Sequence, residues 1–157
     1  MDIRSLDHFT LRTRCLPETT AFFEQVAGLR VGPRPAFKFD GRWLYRGDWA
    51  ALHLAVYDPA DEQLRAYLGD RQAAPGNTGT GAVDHIAFRC NGLPSFEARL
   101  RSLAMPYRAR TVPDLHEHQV FVVDPNGATV EFIFSSSEDA SWEGTAEYAP
   151  AQTSDAV

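Results

Sequence analysis

Hydrophobic and polar residues alternate over residues 3–13, and this period of two is typical of a half-buried β-strand. The alternation places His8 and Thr10 on one face of the strand and Phe9 and Leu11 on the other. The next apolar residues recur at three-to-four spacing behind a proline, which predicts an amphipathic helix closing near a glycine. The chain therefore opens with a strand followed by a helix.

Shorter apolar runs separated by turn residues follow this helix. The segments 38–39, 43–45 and 51–57 have strand composition, and Asp-Gly or Gly-Asp pairs lie between them. His53 lies inside the last of these runs. Residues 1–57 are therefore predicted to form one βαβββ module.

The opening pattern returns 77 positions later in the chain. The segment Asp7-His8-Phe9-Thr10-Leu11 corresponds to Asp84-His85-Ile86-Ala87-Phe88, and in both halves a Leu-Pro pair then begins a helical pattern. A repeat of this length is too long for a solenoid unit and fits half of a domain. The chain is therefore interpreted as a duplicated module.

The second module, residues 82–137, has the same order of elements. A helix is predicted at 94–103, and strands are predicted at 107–112, 119–123 and 128–134. The turn Asp124-Pro125-Asn126-Gly127 joins the last two strands, because proline presets one turn position and glycine tolerates a positive φ. The connection 58–81 is rich in turn residues, and the tail 138–157 has no period and is expected to be extended or disordered.

Composition narrows the class of partner. A chain of 157 residues with 44% hydrophobic content has the size of one domain, and its net charge of -6 argues against nucleic acid. No apolar run is long enough to span a membrane, and the N-terminus lacks the pattern of a signal peptide. We therefore expect a cytoplasmic protein that binds a small molecule and neither nucleic acid nor membrane.

Four residues stand out as candidate chemistry. His8 and His85 occupy the same position of the repeat, on the strand face opposite the bulky apolar residues. Glu131 lies inside an apolar strand, where an ionised carboxylate is rarely buried unless it is paired or metal-bound. His53 has the equivalent place in the first module, with a slip of one residue. The duplication thus yields two pairs, His8 with His53 and His85 with Glu131.

These residue types suit a divalent metal ion. Imidazole nitrogen and carboxylate oxygen bind Fe(II), Mn, Ni, Co or Zn, and two histidines with one carboxylate leave coordination positions open for substrate. The fold class that follows is α+β, in which two tandem βαβββ modules related by a pseudo-twofold form a curved mixed-sheet cup around a metal site. We therefore predict one divalent metal ion as cofactor, of unknown identity.

The chain resembles the vicinal oxygen chelate superfamily, which contains glyoxalases, bleomycin-resistance proteins and extradiol dioxygenases. The resemblance rests on the two Asp-His strands and on Phe22-Phe23-Glu24 before Gly28-Leu29. It also rests on the segment 120–127 leading to Val130-Glu131-Phe132, and it covers roughly residues 5–135. The resemblance is specific for fold and metal and weak for the substrate.

The resemblance implies roles for the four residues. Members with this pattern place metal ligands where His8, His85 and Glu131 stand here, and glyoxalase-like members add a fourth where His53 stands. His53 is thus a fourth ligand or a nearby acid/base, and Glu131 is a second candidate for moving a proton. The family also implies a homodimer, with the cup built within one chain or exchanged between two.

A substrate wall is predicted from residues that share strand faces with the proposed ligands or lie near them. Thr10 shares the face of His8, while hairpin pairing places two further side chains on the face of Glu131. Two aromatic residues are expected near His53 by the repeat, and one histidine near the rim is within possible reach of substrate. The full set of substrate-binding candidates is Thr10, Trp43, Tyr45, Gln119, Phe121 and His118.

Several reactions are compatible with such a site. The leading hypothesis is a glyoxalase-like lyase or isomerase that transfers a proton on a substrate chelating the metal through vicinal oxygens. The alternative is an extradiol ring-cleaving dioxygenase using Fe(II) or Mn, although Phe121 stands where a tyrosine is often expected. A thiol transferase ranks lower because Lys38 is the only lysine and no basic loop is evident, and a metal-free binding protein ranks lower because all ligand positions are filled.

Overall fold

A strand, a helix and three strands follow one another twice along the chain. The computed structural model describes residues 5–56, 58, 60, 62, 83 and 85–150. It divides into two compact units, Met1–Asn77 and Thr78–Val157, called here the first and second units. Each unit contains one mixed sheet, of four strands in the first and five in the second, so the predicted α+β class with a repeated module is confirmed.

The sheet of the first unit has the order β1-β4-β3-β2. Its first strand runs parallel to β4, and the remaining neighbours are antiparallel. The elements are β1 (Phe9–Thr13), α1 (Leu16–Gln25), β2 (Arg30–Gly32), β3 (Gly41–Arg46) and β4 (Trp49–Val56).

Helix α1 covers one face of this sheet. Pro17 lies in its first turn, where a missing N–H costs no hydrogen bond. Phe22 and Phe23 of the helix are buried, as are Leu52 and Leu54 of β4. Since neighbouring strand residues point to opposite faces, His53 lies on the face away from α1. The packing of the helix therefore decides which face is left for the site.

The second unit repeats this arrangement and adds one strand. The sheet order is β5-β8-β7-β6-β9, with β5 parallel to β8. Phe96 of the helix packs on Phe132 and Phe134 of β8, with ring centroids 4.6 and 5.4 Å apart. The elements are β5 (His85–Arg89), α2 (Leu93–Ser102), β6 (Tyr107–Val112), a 3₁₀ turn (Pro113–Leu115), β7 (Glu117–Val123), β8 (Thr129–Ser135) and β9 (Thr145–Tyr148).

The predicted turn between β7 and β8 is confirmed. The buried Asp124 carboxylate accepts hydrogen bonds from the backbone N–H groups of Asn126 and Ala128, at 2.9 and 2.7 Å. Gly127 has φ 80°, a conformation that L side chains rarely adopt. This turn fixes the register in which Glu131 lies opposite Phe121.

One strand of the first unit lies elsewhere than predicted. The strand before Gly41 is β2 at Arg30–Gly32, whereas Lys38 and Phe39 lie in a bend. In the segment between β2 and β3, the Arg34 guanidinium donates to the backbone carbonyl of Phe39 at 2.7 Å. This bond closes the segment into a loop, and the predicted strand residues Lys38 and Phe39 do not join the sheet.

The tail contributes structure that its sequence pattern did not predict. Strand β9 pairs antiparallel with β6, and the Glu138 carboxylate accepts from the backbone N–H groups of Gly92 and Leu93 at 2.8 and 2.6 Å. Glu138 thereby caps the N-terminus of α2. The connection 58–81 lies outside the described residues except for Asp58, Ala60 and Glu62. No helix in the described part of the chain is long and apolar enough to cross a membrane.

Candidate metal centre

The first unit places two of the four predicted residues side by side. Strand β1 pairs in parallel with β4 so that Thr10 lies opposite His53, and β3 pairs with β4 so that Trp43 lies opposite His53 on the other side. His8 directly precedes β1, two residues before Thr10. All four side chains therefore share the face that α1 leaves uncovered.

The ring of His53 is held between two other rings. It stacks on His8 with ring centroids 3.9 Å apart and planes inclined by 25°, and on Trp43 at 3.9 Å and 3°. Burial lowers the pKa of His53, and the nearby His8 lowers it further, while Asp7 acts in the opposite direction. This environment favours the neutral imidazole, which is the form that accepts a proton or binds a metal.

Asp7 orients the ring of His8. Its carboxylate oxygen Oδ2 lies 2.6 Å from His8 Nδ1. A carboxylate at this distance favours the tautomer with the proton on Nδ1, which leaves the lone pair of Nε2 available. Metal-binding histidines commonly have such a partner on the second ring nitrogen. The repeated Asp-His pair therefore has a physical explanation in the first unit, whereas Asp84 lies outside the described residues.

The second unit brings together His85 and Glu131. His85 Nε2 lies 2.9 Å from Glu131 Oε2, and the side chain of Glu131 is only 5% exposed while that of His85 is 36% exposed. Phe121 lies directly opposite Glu131 on β7 and meets the His85 ring edge-on, at 6.2 Å and 86°. Among the described residues, the half-buried imidazole of His85 is thus the polar partner of the buried Glu131 carboxylate.

The donor atoms of this pair fit a divalent ion. Two ligand atoms bound at about 2.1 Å and at right angles to each other are separated by roughly 3 Å. The 2.9 Å between Nε2 and Oε2 matches adjacent positions around such an ion. Within the described residues no three His, Cys, Asp or Glu side chains lie close enough together to hold an ion. Each unit supplies two candidate ligands, which are His8 and His53 in the first unit and His85 and Glu131 in the second.

Other solved structures share this fold. A lactoylglutathione lyase from Agrobacterium tumefaciens superposes with a TM-score of 0.60 at 18% identity, over 86% of this chain and 96% of that one. A glyoxylase/bleomycin resistance protein/dioxygenase domain from Frankia sp. EAN1pec gives 0.62 at 13%, over 85% and 99%. The fosfomycin resistance protein FosX from Listeria monocytogenes gives 0.56 at 17%, over 85% and 95%.

This chain has the vicinal oxygen chelate fold. No protein-family model matches the chain, and no curated protein is similar to it in sequence. The match with this chain extends over nearly the whole length of each of the three solved structures named above. At identities below a quarter they establish the fold, and the chemistry has to be argued from this chain's own residues.

In this fold, five of the six predicted wall residues lie on a site face. Thr10 and Trp43 lie beside His53, and Gln119 and Phe121 lie on the face of Glu131. Tyr45 shares the face of Trp43, but its hydroxyl donates to the Pro33 carbonyl at 2.6 Å and its ring lies against Gly32. Tyr45 thus braces the β2 edge of the sheet.

His118 lies on the opposite face of its sheet, which corrects its expected place near the rim and the substrate. Strand alternation puts His118 beside Phe134 on the face that α2 covers, and it is 7% exposed. Its Nδ1 lies 2.9 Å from the Thr111 hydroxyl and its Nε2 lies 3.2 Å from the Glu138 carbonyl. His118 therefore ties the tail to the sheet.

Two arginines that the sequence analysis missed lie on the site face of the second unit. Arg108 is opposite Phe121 and Arg110 is opposite Gln119, so both share the face of Glu131. Their signal in the sequence is the spacing of two within the strand at 107–112. They border a cleft of about 530 Å³ whose lining residues are His85, Arg108, Ala109, Arg110, Phe121, Thr129, Thr145, Ala146 and Glu147.

A series of side-chain hydrogen bonds runs along the face of the second sheet that carries Glu131. Arg89 donates to Glu117 at 2.7 Å, and the Gln119 side-chain amide donates to the other Glu117 oxygen at 3.0 Å. Arg110 Nε donates to the side-chain oxygen Oε1 of Gln119 at 2.7 Å. The hydrogen bonds from Arg89 and then Gln119 hold the pKa of Glu117 below its usual value. Gln119 thus positions Arg110. From the sequence alone, Gln119 is predicted only to contact substrate.

Proposed function

We propose that this protein is a divalent-metal-dependent enzyme of the glyoxalase type, which transfers a proton on a small substrate bound through two neighbouring oxygens. The single observation that carries the proposal is the pairing of His85 with the buried Glu131 carboxylate at 2.9 Å, a spacing suited to two adjacent metal ligands. A buried carboxylate is costly without such a partner. The lactoylglutathione lyase with the same fold supports the choice of reaction class.

The proposal assigns His8, His85 and Glu131 as ligands of one ion, which is Fe(II), Mn, Ni, Co or Zn. The Asp7 contact that leaves His8 Nε2 available supports the assignment of His8. The repeat supports His85, which occupies the same sequence position in the second module. When bound, the ion would act as a Lewis acid on the chelating oxygens of the substrate.

His53 has the second role, as a fourth ligand or as the group that accepts a proton from the substrate. Stacking on Trp43 and His8 restricts the rotation of its ring, so its nitrogens keep a fixed direction. A general base has to be held at hydrogen-bond distance from the proton it removes, and a fixed ring meets that requirement. Trp43 in turn offers an apolar surface beside the reacting group.

An extradiol dioxygenase is the alternative reaction on the same residues. Phe121 lies directly opposite Glu131 and carries no hydroxyl, so this position cannot donate a proton to bound substrate. His53 gives the proton-transfer reaction a candidate base, which is why that reaction is preferred.

The homodimer and the division of the chain at residues 57, 82 and 137 stay predictions.

The experiment that tests the function combines metal analysis with activity. Protein purified without added metal is analysed for its metal content and then assayed with Fe(II), Mn, Ni, Co and Zn against thiohemiacetals and catechols. We expect a stoichiometric ion and turnover of a thiohemiacetal without oxygen consumption. Oxygen uptake on catechols would replace the proposal with the dioxygenase, and protein that neither contains nor binds metal would refute both.

A further inference from the structure

The cleft of the second unit has a positively charged wall, although the chain carries a net charge of -6. Arg108 and Arg110 border it together with His85, while Glu147 is the only acidic residue among its lining residues. Its volume of about 530 Å³ lies within the range typical of small-molecule sites. Because His85 is a proposed metal ligand, the cleft adjoins the proposed reaction centre.

Arg110 is held in one place by two contacts. Its Nε donates to the side-chain amide oxygen Oε1 of Gln119 at 2.7 Å, and its guanidinium carbon lies 5.1 Å from the centre of the Phe121 ring. Gln119 is itself fixed by Glu117. Among the described residues, no protein group accepts a hydrogen bond from the two terminal nitrogens of Arg110. A braced guanidinium with both terminal nitrogens available matches the fork that binds an oxyanion through two hydrogen bonds.

Arg108 adds a second positive charge on the same face. It lies opposite Phe121 on one side and Glu147 on the other, and within the part of the chain that is described its side chain forms no hydrogen bond or ion pair. Glu131 lies opposite Phe121 on the next strand. Since neighbouring strands are about 4.8 Å apart, the backbones at Arg108 and Glu131 are separated by roughly 10 Å. A small molecule spans this distance.

We propose that this cleft binds an oxyanion group of the substrate, a carboxylate or a phosphonate, through Arg110 and Arg108, while the substrate's reacting end lies toward His85 and Glu131. The proposal deepens the proposed function and rests on it for the identity of the reacting end. The positive charge for such a group comes from two strand arginines, so the single lysine of the chain does not argue against an anionic substrate.

The test measures binding of three probes to the full-length protein by titration calorimetry, with a chelator present so that no ion binds the probes. Benzoate and phenylphosphonate carry the two oxyanions on the same ring, and benzamide is the uncharged analogue of benzoate. We expect at least one of the two anions to bind and benzamide not to bind. The tighter of the two anions identifies the substrate class, and equal binding of benzamide would overturn the proposal.

Variants locate the binding. Arg110→Gln and Arg108→Gln should each weaken anion binding by about tenfold, the size expected for hydrogen bonds to a charged group. Arg99→Gln, a matched change on the exposed surface of α2, should leave binding unchanged. Wild-type affinity in both cleft variants, or equal weakening in Arg99→Gln, would contradict the proposal. Arg108 makes no described side-chain bond, so its variant is informative even if Arg110→Gln is unstable.

Glu131→Gln separates this proposal from the proposed function. Its anion binding in the presence of chelator should be retained, because the arginines are intact, while its metal content should fall. Retained metal in Glu131→Gln counts against the metal assignment alone. Unchanged anion binding in Arg110→Gln and Arg108→Gln counts against the oxyanion site alone.

Discussion

The two units build their candidate site faces from opposite chemistry on similar strands. In the first unit His53 lies in a stack of rings with His8 and Trp43. In the second unit the corresponding strand carries Glu131, which pairs with His85 among charged and amide groups. Duplication supplied the same scaffold twice, and the side chains then specialised.

The surroundings of each pair continue this difference. Beyond Trp43 the aromatic contacts extend to Phe37, whose ring centroid lies 6.3 Å from that of Trp43. Beyond Phe121 lie the guanidinium groups of Arg108 and Arg110. An aromatic surface favours a planar or apolar group, whereas paired arginines favour an anion. The comparison teaches that the same strand scaffold can present a face suited to an apolar group in one unit and a face suited to an anion in the other.

Replacing the one carboxylate tests the comparison most strongly. Glu131→Gln removes the only anionic ligand proposed, so metal affinity should fall by at least about 100-fold, since even outer partners of ligands affect affinity by 10- to 100-fold. His53→Gln should lower it much less. Metal content and titration of both variants measure the difference, with the exposed Glu143→Gln as control. Equal losses in the two variants would mean that the units do not differ in this way.

Asp7→Asn tests whether the first unit has a positioned ligand. The change keeps the shape of the side chain but weakens the contact at His8 Nδ1, so metal affinity should fall by about tenfold. Asp48→Asn, in the exposed turn between β3 and β4, is the matched control. Competitive titration with a metal indicator measures both. Identical affinities in the two variants would assign Asp7 no part in orienting His8.

The helix ends offer a comparison of stability. At the N-terminus of α1, the Thr13 hydroxyl accepts only from the N-cap N–H of Cys15. At the N-terminus of α2, the Glu138 carboxylate from the tail accepts from the N–H groups of both Gly92 and Leu93. Glu138→Ala should lower the free energy of unfolding by about 1 kcal/mol, the usual contribution of a cap. Amide hydrogen exchange should show the loss in α2 and not in α1, with Asp139→Ala as the exposed control. Uniform loss of protection in both helices would show that the cap does not act locally.

Arg89→Gln removes the ion-pair partner of Glu117 and should have the smallest effect of these substitutions, measured on thermal stability. Arg89 lowers the pKa of Glu117, so the ionised carboxylate stabilises the fold above its unfolded pKa, and this is lost as the pH falls through the lower folded pKa. In Arg89→Gln the folded pKa moves back toward its ordinary value. The difference in Tm from wild type should be largest at neutral pH and shrink in acid. A difference independent of pH would exclude ionisation of Glu117 as its cause.

Elements with strong local signals were predictable from the sequence. The strand predicted at 107–112 is β6 (Tyr107–Val112), and the helix predicted at 94–103 is α2 (Leu93–Ser102). Proline presets the first turn of that helix, and alternation fixes the strand. The pairing of His85 with Glu131 followed from the repeat, because β5 lies parallel to β8 in the second unit as β1 lies parallel to β4 in the first.

Features that depend on distant contacts were not predictable. Strand β9 has no periodicity of its own and forms because β6 offers an open edge. His118 lies on the covered face because β7 begins at Glu117, a boundary that the sequence pattern put two residues later. Arg108 and Arg110 were visible as a spacing, but only the sheet shows that they share a face with Glu131.

The added strand β9 has an evolutionary consequence. It lies outside the duplicated pattern, yet Thr145, Ala146 and Glu147 form one wall of the cleft. A duplicated module starts with two copies of every ancestral residue, whereas β9 occurs only in the second unit and has no counterpart among the described strands of the first. Substitutions in these few β9 residues can therefore change which ligands are accepted while both inherited modules continue to fold, which makes β9 a short path to new specificity.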